Sequence, residues 1–141
     1  MFNAAVLIAL ALALLTLAVR FGPGRIERGS TQARAAGVLL LAFGAGYPHF
    51  LETDSVLTYA YAAPMGVIPC STLAIVVGIT LCANGLGSRA WCLTLAAFAL
   101  FYGLVGAALL GVLPDVALVA GAIVLARVGF EVPRAVPVLN S

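Results

Sequence analysis

The sequence predicts an all-α membrane protein, a bundle of five transmembrane helices with its N-terminus outside and its C-terminus inside. Three observations lead there. Charged residues are 9% of a chain that is 64% hydrophobic, whereas soluble domains carry roughly 25% charged residues. Several apolar stretches approach the roughly 20 residues that cross a bilayer. The basic residues, all arginine, gather in every second connection, as the positive-inside rule requires of cytoplasmic loops. No alternating pattern of a membrane barrel is present, so the backbone must satisfy itself within helices. The 141 residues allow a single domain.

The first expected helix covers residues 2–21. It is longer than a signal-peptide core and has no small-residue cleavage site, so it reads as a retained span. Ala5, Ala9 and Ala13 offer a smooth stripe on it. Arg20, Arg25, Arg28 and Arg34 then crowd the first connection with only Glu27 against them. This reads first as a topogenic loop; a binding patch for anionic lipid headgroups is the sharper alternative and is compatible with it.

The second helix is expected over 33–51, bent or ended by Pro48. Residues 52–61 are too polar to span, and their tyrosines, with Tyr47, fit an interfacial aromatic belt. The third helix is expected over 64–86, with Pro64 or Pro69 in its first turn. Cys70, Ala74, Gly78 and Cys82 recur at every fourth position along it. The fourth is expected over 90–112. Its stripe of Ala99, Gly103, Ala107 and Gly111 is the strongest packing signal in the chain. Pro114 and Asp115 then open a short fifth helix over 114–128.

Polar chemistry concentrates between residues 47 and 72. The only histidine lies there, with three of the four tyrosines and one of the three cysteines. Tyr47, His49, Glu52 and Cys70 are therefore the candidate ligand-binding residues. His49, Glu52 and Asp54 match no metal-site spacing, so no metal is expected. Cys70 sits where a helix N-terminus can activate a thiol, or where a small side chain simply packs. The first alternative expects it to be alkylated faster than Cys82. Cys82 and Cys92 flank one short turn and can come close, but as thiols. No acid or base is expected deep within a helix, a marker that pumps and proton-coupled transporters usually carry. No Ser-His-Asp set, phosphate-binding glycine loop or paired-cysteine motif is present, and no catalytic residue or cofactor is assigned. A net charge of +2 excludes nucleic acid as an electrostatic partner.

At Gly46-Tyr47-Pro48, and again from Pro64 to Thr72, the chain resembles a family of uncharacterised bacterial multi-pass membrane proteins. That family carries a Tyr-Pro pair at one helix end. It also has a Gly-x-Pro-Cys-Pro-Thr run opening a helix and a Gly-x-x-x-Asp turn before the last span. Here the run has an extra residue before Pro69, and Ser71 replaces its second proline; the turn is Gly111 to Asp115. The resemblance implies a membrane fold in the plasma (inner) membrane and supplies no activity. The expectation for function is a non-catalytic accessory subunit. It packs against larger integral membrane proteins and holds membrane lipid, quinone or pigment in its grooves. The alternative is a small transporter or channel for a neutral solute or metal ion, and a thiol-dependent membrane enzyme ranks last.

Overall fold

The computed structural model describes residues 2–21, 28–46, 69–109 and 111–132. Among them the protein is an all-helical bundle of five helices. These are α1 (Phe2–Phe21), α2 (Thr31–Ala45), α3 (Pro69–Cys82), α4 (Arg89–Leu104) and α5 (Val116–Glu131). Helix α4 continues into a π-helical turn, Val105–Leu109. By length and composition, Arg89–Leu109 is the one helix among the described residues long and apolar enough to cross a membrane; Ile8–Ala18 and Cys70–Cys82 are shorter apolar helices.

Helix ends follow local chemistry. Ser30 caps α2 by accepting from the Ala33 amide at 3.2 Å, and Ser88 caps α4 by accepting from the Trp91 amide at 3.3 Å. Such caps satisfy amides that have no partner inside the helix. Helix α3 ends at Cys82 and not at residue 86 as the apolar pattern predicts. Asn84, Gly85, Leu86 and Gly87 all take positive φ, a conformation that cannot continue an α-helix. Helix α5 begins two residues later than predicted, after a 3-10 turn at Leu113–Asp115, and runs on to Glu131.

The bundle consists of two antiparallel hairpins, α2 with α3 and α4 with α5, and these pairs share the most extensive contacts in the molecule. In the first, the backbones touch where Gly37 crosses Gly78. A Cβ on either glycine would stand 2.7 Å from the other's carbonyl oxygen. The second hairpin repeats the first at its other end. A Cβ on Gly44 would meet the Ser71 carbonyl at 3.0 Å and Ile75 Cγ1 at 2.7 Å. One on Gly103 would meet the Asp115 carbonyl at 3.2 Å and Val119 Cγ2 at 2.8 Å. Helix α3 lies between its own partner and both helices of the second hairpin, and α1 packs on α4 through Leu10 and Leu14.

The outward faces are as apolar as the interior. Leu12, Val38, Leu39, Phe101, Ile123 and Phe130 are all exposed, while Gly37, Ala74, Gly78, Ala99, Gly103 and Ala122 are buried. Small residues line the tightest crossings, while Leu73, Leu81, Leu95, Leu118 and Leu125 fill the interior between them. Buried polar groups close on the helices themselves. Thr80 donates to the Val76 carbonyl at 2.7 Å and receives the Trp91 indole at 3.3 Å.

The glycine crossings make a direct prediction. Gly37→Leu and Gly103→Leu each drive a side chain into a neighbouring backbone, and overpacking costs about 1–3 kcal/mol. Both should lower the denaturation midpoint in detergent, followed by Trp91 fluorescence. Val38→Leu, on an exposed position of α2, should leave it unchanged. Equal midpoints for all three would refute the backbone crossings.

Candidate functional site

One buried polar centre lies where α3 and α5 begin. Both helices are entered through a proline followed by a polar residue, Pro69-Cys70 and Pro114-Asp115. Antiparallel hairpins bring these two starts to the same end of the bundle. Cys70 Sγ donates to Asp115 Oδ2 at 3.2 Å, across 45 residues of sequence. Asp115 is only 1% exposed, and the neighbouring Ser71 is fully buried. Asp115 is the N-cap residue of α5 but makes no side-chain cap to its own helix. Its carboxyl turns sideways, into the bundle.

Room for that carboxyl comes from α4. Gly106 faces the Asp115 side chain so closely that a Cβ there would overlap the carboxyl. Helix α4 passes into its π-helical turn at Val105. The Val105 amide is shared between the Phe101 and Tyr102 carbonyls, four and three residues back. The turn closes as the Val112 amide reaches back to the Gly106 carbonyl at 2.9 Å. One helical turn before Gly106, Tyr102 is buried, and its hydroxyl has no hydrogen-bond partner among the described residues. Cys70 lies within electrostatic reach of that phenol.

The centre thus combines a buried carboxyl, a thiol and a phenol inside an otherwise apolar bundle. Two helix N-termini converge on it. No group of three His, Cys, Asp or Glu side chains that could hold a metal occurs among the described residues.

The sequence-predicted residues divide sharply. Tyr47, His49 and Glu52 lie outside the described residues, as does the polar run after them. Cys70 lies at the centre, but buried and donating to a carboxylate oxygen, which argues for a sequestered thiol. The expected stripe on α4 also differs. Ala99 and Gly103 are buried against neighbouring helices of the same chain. Ala107 is only half-buried. Gly111 is outside the helix, at φ +68°, with open space around it. Positions three and four beyond Gly103 share its helix face, and here Gly106 takes the inward place that spacing four assigns to Ala107. Cys82 and Cys92 do not meet. Cys82 Sγ faces the Arg34 carbonyl on α2 at 3.9 Å, whereas Cys92 Sγ donates to the Gly85 carbonyl at 3.4 Å.

Asp115 is the residue that sequence reading missed. At a turn it looks like a solvated helix-start acid. The signal that could have found it is the repeated proline–polar start of α3 and α5. No family model matches the chain, and no curated protein or solved structure does.

Burial reverses the alkylation order expected from helix position. In folded protein Cys82, which is partly exposed, should react with N-ethylmaleimide faster than the buried Cys70. Gly106→Ala should raise the Cys70 rate severalfold by displacing the Asp115 carboxyl. The rates are read by peptide mass spectrometry. A Cys70 that reacts first in the unaltered protein would refute the sequestered thiol.

Proposed function

We propose that the chain is a five-span protein of the plasma membrane, N-terminus outside, and that it serves as a non-catalytic accessory subunit beside larger membrane proteins. The observation that carries this reading is the outward surface. Large apolar side chains cover every helix that would face lipid or a partner. Between α2 and α5 that surface opens into an apolar groove of about 200 Å³. The chain's own small-residue faces are consumed within its hairpins, so a partner would be met through this broader surface. The described arginine side chains support the orientation. Arg28, Arg34, Arg89 and Arg127 all lie at the Ser30 and Ser88 end of the bundle, opposite Asp115. Arg89 stands 4.8 Å over the Phe130 ring there, an arrangement suited to a membrane interface.

Asp115→Asn and Ser88→Ala leave this surface intact, so extraction in a mild detergent should recover those variants and the unaltered chain in the same larger assembly. A monodisperse single chain in every preparation would overturn the subunit reading. For topology, Asp54→Cys should react with an impermeant maleimide added outside cells, and Ser30→Cys should not. The reverse pattern would overturn the orientation.

A second reading is transport of a small solute or cation, and the buried Asp115–Cys70 pair favours it. An ionisable group inside an apolar bundle is a mark of conduction pathways. Purified protein in liposomes would then give a flux that Asp115→Asn lowers by at least about tenfold, the effect expected of a group on the pathway. Flux equal to that of empty liposomes would leave the subunit reading alone.

A further inference from the structure

The groove between α2 and α5 has a chemistry of its own. Its walls are Ala36, Leu39 and Phe43 on one side and Ala117, Ala120 and Val124 on the other. Its floor is closed where Leu40 packs onto Gly121. No polar side chain lines it. Its lining is apolar throughout, which a hydrocarbon chain matches along its whole length.

The groove also has a charged end. On α5 the lining positions 117, 120 and 124 continue at helical spacing to Arg127 and Glu131, both exposed. On α2 the same stripe continues backwards from Ala36 to the exposed Gln32. Arg28 and Arg34 are exposed at this end as well, so it is net positive among the described residues. From Ala117 to Arg127 the helix rises about 15 Å. Ala117 stands near the Asp115 end, so the lining from Ala120 to Val124 is the part that lies within one leaflet, about 15 Å, of Arg127.

We propose that the α2–α5 groove is a binding site for an anionic phospholipid of the inner leaflet, with an acyl chain along the groove and its phosphate on Arg127. The proposal rests on the membrane reading above, not on the identity of any partner subunit. Arginine gives a phosphate two parallel hydrogen bonds from one side chain. Gln32 can donate a third from the opposite wall. Glu131 lies a turn beyond Arg127, on the side away from the groove lining. A zwitterionic lipid fills the slot equally well but carries a compensating charge in its headgroup, so only the arginine distinguishes the two.

The test uses the full chain purified in detergent, with phosphatidylglycerol or phosphatidylcholine of identical acyl chains added, and bound lipid counted by native mass spectrometry. The unaltered protein should retain phosphatidylglycerol about fivefold better, the ratio for one basic residue near a lipid surface. Arg127→Gln should abolish the preference and leave phosphatidylcholine retention unchanged. Ala120→Leu fills the groove at an exposed position and should lower retention of both lipids. Circular dichroism and the denaturation midpoint should be unchanged in both variants. Equal retention of the two lipids by the unaltered protein overturns the proposal. So does a preference that survives Arg127→Gln, because the headgroup then sits elsewhere. Loss of the larger assembly without loss of lipid preference sinks the subunit reading alone, and failure of the chain to enter membranes sinks both.

Discussion

Contact between backbones holds this bundle together. On the membrane reading proposed above, no water would press apolar helices together, and attraction would depend on how closely their main chains approach. The crossing of Gly37 and Gly78 is where that approach is tightest in the first hairpin, each glycine facing the other's carbonyl oxygen. Gly44 and Gly103 hold equivalent places at the opposite end of their hairpins. Between these crossings Leu73, Leu81, Leu95, Leu118 and Leu125 fill the interior, and further large apolar side chains such as Leu12, Val38 and Ile123 stand outside.

The two hairpins are variations on one plan. Each starts from a serine cap, each packs a glycine of its first helix over the opening turn of its second, and each second helix is entered through a proline and a polar residue. The Cys70–Asp115 hydrogen bond joins those equivalent starts. It is thus a seam between halves and the most polar point of the interior. Gly106 of α4 belongs to the same seam, because the missing side chain there leaves room for the carboxyl. A buried carboxyl is costly without compensation. The converging helix ends and the thiol proton supply some of it.

The opposite end of the molecule has a different character. The described arginines gather there, one over an aromatic ring and one below an apolar groove. The polar interior and the basic rim are separated by the length of the helices. One end offers a sheltered acid and the other an accessible positive surface. These suit different partners, a proton or cation in the first case and an anionic headgroup in the second.

Composition and arginine spacing alone determined that this chain is helical, built from apolar segments with an uneven distribution of charge. These are properties of single segments and need no knowledge of neighbours. Glycine and alanine at spacing four likewise marked α4 as a packing helix, since helical periodicity brings such positions onto one face. Tertiary structure decided which residues face inwards. Gly106 took the inward place expected of Ala107 because both share a helix face with Gly103, and packing against Asp115 chose between them. Asp115 became an interior residue because two chain segments 45 positions apart start at the same end of the bundle. Cys70 was legible as a candidate because it stands at a helix start. Its partner was not, because a hydrogen bond between distant segments is set by how hairpins pack and leaves no local periodicity to read.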